Sequence, residues 1–241
     1  NFFNALFFEY GIAAYDLEIG AAIARKATKD PKFQREFKAV LHKVRRQVTK
    51  DYVVHPGLSM VTGEIGCGKT MLVEALRQRL AGTPFDPWVV DYPRMTGVQL
   101  LQFVAAEAAL VRPPKSKPAL VGVLRQRLAA MHADGLRPVL VADEAQLASP
   151  SLLEELRLLT NFEDRTDKHL HVVLLGQPEL RDRIVKRPQI DQRVSLRFHL
   201  DPLDADDVRA YVLHRLRVAG ASHEIFTADA LVALAARSGG V

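Results

Sequence analysis

The chain holds one cysteine, Cys67, in 241 residues. An internal disulfide is therefore excluded, and a reducing, cytoplasmic setting fits. No apolar run approaches the roughly 18 residues that a membrane span needs, so none is expected in this segment. The N-terminus lacks the basic stretch and small-residue cleavage site of a signal peptide. The histidines His169, His171, His199 and His214 show no metal-ligand spacing with cysteines or acids and read as structural or exposed. No Ser/His/Asp arrangement stands out, and there is no internal repeat. The closing Ser238-Gly239-Gly240-Val241 breaks off in mid-pattern, so a longer protein is expected.

What is present is a chain with 48% apolar residues, enough to bury a full core. The net charge of +5 is unevenly spread. Residues 25–50 carry ten Lys/Arg against Asp30 and Glu36, a local +8, while 1–24 are acidic and aromatic. Phe33, Phe37, Val40, Leu41, Val44 and Val48 make a helical stripe there, with Lys38, Arg45 and Arg46 on other faces. That basic face is either solvated or a contact surface for a phosphate backbone.

Gly63-Glu64-Ile65-Gly66-Cys67-Gly68-Lys69-Thr70 fits the phosphate-cradling pattern G-x-x-x-x-G-K-[ST]. An apolar strand, Leu58–Val61, precedes it and an amphipathic helix, Lys69–Ala81, follows. The chemistry needs these residue types. Glycines let the backbone turn tightly and bring N–H groups against phosphate oxygens, and the helix N-terminus adds partial positive charge. Lys69 can reach the β- and γ-phosphates, and the Thr70 hydroxyl can hold Mg²⁺. The cradle is taken to run through Met71, with Cys67 as a small filler.

The rest alternates strand and helix: strands at Trp88–Asp91, Val139–Ala142, His171–Leu175 and Val194–Leu200. Helices are expected at Gly97–Leu110, Leu120–His132, Leu152–Leu159 and Pro178–Lys186. A turn is expected over 83–87 and a break over 112–118. After Asp201-Pro202 the pattern is wholly helical, Ala205–Val218 and Ala228–Ala236. The expected organisation is an α/β fold with a five-stranded parallel sheet: a basic helical extension over 1–51, a nucleotide core over 52–201, and a partial helical lid over 202–241.

Val139–Ala142 ends in Asp143-Glu144, about 75 residues after the glycine loop, where a parallel sheet brings two strands together. Asp143 can hold Mg²⁺ through water, and Glu144 can orient and deprotonate an attacking water. Gln177, after the fourth strand, can read the γ-phosphate or position water. Of the basic residues around the last strand, Arg193 is the first candidate to act in trans on a neighbour's nucleotide, ahead of Arg187 and Arg197.

These residues together resemble the AAA+ superfamily over roughly 52–241. Asp143-Glu144-Ala145-Gln146-Leu147, Leu174-Leu175-Gly176-Gln177-Pro178-Glu179-Leu180 and Gln192-Arg193-Val194 are similar to the ExeA/GspA-type ATPases. The resemblance implies ATP and Mg²⁺ binding between subunits, assembly into rings or helical filaments, and hydrolysis as a switch. One branch, of the TniB/TnsC kind, regulates transposition by assembling on DNA and recruiting a transposase. The GspA branch is an inner-membrane ATPase that helps place the type II secretin. Residues 1–56 lack that branch's usual Phe-Gly-Leu…Pro-Phe…Pro-Asp-Pro opening and offer the basic helix instead. The first expectation is therefore an ATPase that oligomerises on double-stranded DNA and regulates transposition. The alternatives are a secretin-assembly ATPase and a low-turnover nucleotide-dependent scaffold.

Overall fold

The computed structural model describes residues 57–240 other than 166, 222 and 224. The basic extension, with Lys38, Arg45 and Arg46, lies outside the described residues. Within them are two compact units: 57–63 with 79–199, and 64–78 with 200–240.

The first unit is built on a five-stranded parallel sheet. Its strands are β1 (Leu58–Gly63), β2 (Phe85–Val90), β3 (Arg137–Ala142), β4 (His171–Gly176) and β5 (Val194–Leu200), in the order β2-β3-β4-β1-β5. The register pairs Trp88 with Leu140, Ala142 with Leu174, and Thr62 with Gly176. At the β1–β5 border the Ser195 hydroxyl donates to Leu58 O at 3.1 Å and the Thr62 hydroxyl to Phe198 O at 3.4 Å. The two strands thus run the same way.

Position in the sheet explains composition. β1 and β4 are buried along their whole length and are mainly apolar, as strands covered on both faces are. β5 at one edge alternates half-buried and exposed residues. β2 forms the other edge and begins at Phe85, inside the stretch expected to be a turn. Its Pro87 has no N–H to donate, and an edge strand is where a sheet tolerates that loss.

Among the described residues the helices are α1 (Lys69–Leu80), α2 (Gly97–Glu107), α3 (Lys117–Ala133), α4 (Pro150–Leu159), α5 (Glu179–Val185), α6 (Pro188–Asp191), α7 (Ala205–Val218) and α8 (Ala228–Ser238), with a 3₁₀ turn at Ala145–Leu147. α2 starts at a capping box in which Thr96 and Gln99 each accept from the other's backbone N–H. α4 starts at Ser149, which caps Leu152 N, with Pro150 in the first turn. α3 begins three residues earlier than expected, inside the assumed break, because Pro118 sits in its first turn, where the missing N–H costs nothing. Leu120, Leu124 and Leu128 recur every fourth residue along α3 and are fully buried with Leu100, Leu101, Val104, Leu152, Leu156 and Trp88. Truncating one such leucine to alanine costs about 2–5 kcal/mol. An ion pair lies beside this core: Glu155, 7% exposed, takes the Lys117 ammonium at 2.5 Å. It fits beside Gly97 because a Cβ there would stand 2.9 Å from its carboxylate.

In the second unit α7 and α8 pack together, burying Val208 and Leu231. Asp204 and Thr227 cap their N-termini. Beyond α8 the chain turns through Gly240 (φ +81°), whose carbonyl accepts from Leu203 N at 2.9 Å.

Candidate nucleotide site

The candidate residues fall in both units: the glycine loop from Glu64 onward in one, and Asp143, Glu144 and Gln177 in the other. Gly63 closes the buried strand β1, and the chain then enters the glycine loop and α1. Gly66 (φ +85°) and Gly68 (φ +84°) occupy the left-handed region that a Cβ penalises, which is why the pattern demands glycine there. Cys67 N–H closes a turn onto Glu64 O at 3.3 Å. Lys69 is only 7% exposed, and its ammonium donates to Glu64 O at 2.8 Å. The loop thus pre-positions its own cation. Thr70 is exposed, and α1 carries no acid in its first turn to compete with an anion. Burial pushes the Cys67 thiol above its ordinary range, against the opposing pull of the Glu64 backbone and the Lys69 charge. A neutral filler is what that position holds.

In the other unit, Asp143 follows β3 directly and is 7% exposed. Its N–H extends the β2–β3 ladder to Val90 O at 2.9 Å, and its Oδ1 accepts Glu144 N–H at 2.8 Å. Glu144 adopts the left-handed conformation (φ +50°, ψ +35°), which costs a non-glycine residue about 1–2 kcal/mol. The carboxylate is held in return: Gln146 Nε2 donates to Glu144 Oε2 at 2.5 Å. The same amide's Oε1 accepts Gln177 N–H at 3.1 Å. Gly176 makes that approach possible, since a Cβ there would sit 2.7 Å from Gln146 Oε1. Asp143, Glu144 and Gln177 are thereby tied together at the C-terminal edge of adjacent strands.

Gln146 is the residue that sequence reasoning passed over. It stands inside the family-like string Asp143–Leu147, two places after Glu144, but nothing in the string says that its amide joins two strand ends. Arg193 is not part of this cluster. It precedes β5, at the opposite edge of the parallel sheet, and is exposed with no side-chain hydrogen bond or ion pair among the described residues. The other two candidates are engaged: Arg187 donates to Arg183 O at 2.6 Å, and Arg197 pairs with Asp191 at 2.9 Å. Of Met71, only its place in the first turn of α1 is described.

Among the described residues no helix is long and apolar enough to cross a membrane.

Residues 51–184 match the AAA domain family. The chain is 42% identical over 192 residues to general secretion pathway protein A of Aeromonas hydrophila, a match that covers 77% of this chain and 34% of that protein. Among solved structures, Cdc6p from Pyrobaculum aerophilum has a TM-score of 0.59 at 17% identity, covering 85% of this chain and 54% of its own. The Aeropyrum pernix ORC1 protein, solved in complex with DNA, has a TM-score of 0.58 at 20% identity, covering 83% and 55%. At those identities the likeness is one of fold. The chain spans about a third of the curated relative's length and about half of the solved chains'. By family match, sheet topology and glycine loop, it belongs to the AAA domain family and has the AAA+ P-loop fold.

Proposed function

We propose that this chain is the ATP-hydrolysing module of a secretion-assembly protein of the GspA kind. The observation that carries the reading is the 42% identity to a general secretion pathway protein, far above the identities to the solved AAA+ chains. It moves secretion ahead of the transposition reading.

In this reading Gly63, Glu64, Ile65, Gly66, Cys67, Gly68, Lys69, Thr70 and Met71 bind the nucleotide. Their backbone N–H groups and the Lys69 ammonium take the phosphates. The Thr70 hydroxyl and the Asp143 carboxylate are hard oxygen donors of the type Mg²⁺ selects. When bound, that ion would neutralise charge on the β- and γ-phosphates. Glu144 orients the attacking water and takes its proton. Gln177, joined through Gln146, senses the γ-phosphate. Arg193, exposed and without an ion pair among the described residues, serves a neighbouring subunit, which makes the active species a homo-oligomer, ring or filament. Full-length protein bearing Glu144→Gln should retain ATP binding, lose turnover by about 10²–10⁴-fold, and fail to restore secretion in cells lacking the wild-type gene. Wild-type turnover in that variant would remove Glu144 from its role. Normal secretion with turnover abolished would remove the secretion reading.

A second reading keeps double-stranded DNA as a partner, and a transposase as the recruited protein, on one observation: the local +8 over residues 25–50. Anisotropy with labelled duplex should then show binding that weakens steeply with salt and falls further in Lys38→Ala/Arg45→Ala/Arg46→Ala. No binding at low salt with ATP analogue present excludes it.

A further inference from the structure

We propose that His132, Asp164 and His169 form a binding site for a divalent transition metal of the zinc class, remote from the nucleotide chemistry. The three offer ligand atoms that all lie within 4.8 Å of one another. His132 stands in the last turn of α3, and Asp164 and His169 on the excursion that leads into β4. The imidazole centroids are 4.8 Å apart. His169 Nε2 lies 3.3 Å from Asp164 Oδ2, and His132 Nε2 lies 3.8 Å from Asp167 Oδ2.

Two buried nitrogens carry the inference beyond proximity. His132 Nδ1 and His169 Nδ1 have no hydrogen-bond partner among the described residues, and His169 as a whole is 5% exposed. A buried polar nitrogen left without a partner costs about 1–3 kcal/mol, and a lone pair given to a metal removes that cost. The donor set is two imidazoles with one carboxylate and a second, Asp167, beside it. Imidazole disfavours Mg²⁺ and Ca²⁺ and suits zinc, while the acids offset the cation's charge. Donors about 2.0–2.1 Å from a tetrahedral ion stand about 3.3 Å apart, so the cluster must close by about 1–1.5 Å. Asp164 and Asp167, about half exposed, have room to move. Asp164 is also steadied as a ligand should be, because its Oδ1 accepts Asp167 N–H at 2.9 Å.

Such an ion would pin the N-terminal end of β4 to the C-terminus of α3. The six residues of β4 place Gln177 about 20 Å away. The metal therefore acts on stability and leaves hydrolysis alone.

The test uses the full nucleotide-free chain, titrated with Co²⁺ and, separately, with Zn²⁺. One Co²⁺ per chain with the visible absorption of a tetrahedral N/O site is expected, together with a Zn²⁺-dependent rise in melting temperature and unchanged ATP turnover. Asp164→Asn, at an exposed position, should weaken binding at least tenfold with the fold intact by circular dichroism. His132→Gln should do the same if His169→Asn proves too disruptive. No stoichiometric Co²⁺ at about 100 µM, or wild-type binding in both Asp164→Asn and His132→Gln, overturns the proposal.

Discussion

Replacing Gln146 by leucine removes a side chain of similar size and both of its bridging hydrogen bonds. The bond to the Glu144 carboxylate, at 2.5 Å, is charge-assisted and of a class that contributes about 1.5–3 kcal/mol. The bond from Gln177 N–H, at 3.1 Å, is neutral and of a class that contributes about 1 kcal/mol. Both Glu144 and Gln146 are only half-buried, so water recovers part of each. A net loss of about 2 kcal/mol follows, or roughly 5 °C in melting temperature for a chain of this size. The effect on turnover is separable. Glu144 sits in a strained backbone conformation, and without the amide its carboxylate is free to rotate off the water it must orient. A tenfold fall in kcat, about 1.4 kcal/mol in the barrier, is expected with KM changed less than about twofold, because the phosphate-binding loop is untouched. Gln146→Glu should be worse than Gln146→Leu, since it sets a second carboxylate against the first. A coupled ATPase assay beside thermal unfolding reads both quantities. Wild-type kcat in a folded Gln146→Leu protein would refute the positioning role and leave the amide as packing.

Lys117→Ala strips the cation from a carboxylate that is 7% exposed. It should cost about 2 kcal/mol by urea denaturation, less than a fully buried pair because the lysine is half exposed. Adding Glu155→Gln to it should restore most of that loss, and a simple sum of the two single effects would count against the pairing. Cys67 reacts through its thiolate, and burial raises its pKa. Iodoacetamide should therefore label the folded chain more slowly than a free thiol at pH 8, with a pH–rate curve displaced upward from the ordinary cysteine range; a curve displaced downward would contradict burial as the dominant cause. Gly240→Ala puts a Cβ 2.1 Å from Leu203 O, so the Leu203–Gly240 bond should be lost, seen as faster amide exchange at Leu203. Unchanged exchange would show that the backbone gives way freely.

The parts of this chain that were legible in the sequence are those in which one residue's type is dictated by its immediate neighbours. Gly66 and Gly68 need positive φ whatever surrounds them, and Lys69 and Thr70 follow them at fixed spacing on a helix start. The buried strands announced themselves as apolar runs because both of their faces are covered. Where the sequence reading slipped, the deciding information lay elsewhere in the sheet or in very short segments. Pro87 looks like a turn residue until β2 is known to be an edge strand, and Pro118 looks like a breaker until the first turn of α3 is seen to need no N–H from it. The turn at Ala145–Leu147 and the helix at Pro188–Asp191 are too short to show a period. The same distinction separates the two polar clusters. Asp143, Glu144 and Gln177 could be grouped from sequence because parallel strands deliver their C-terminal ends to one edge. His132, Asp164 and His169 obey no such rule: one comes from the end of a helix and two from an irregular excursion, with Asp164 32 positions after His132. A cluster assembled by irregular backbone leaves no spacing to read, so chemistry of this kind is found from orphaned buried atoms, not from motifs.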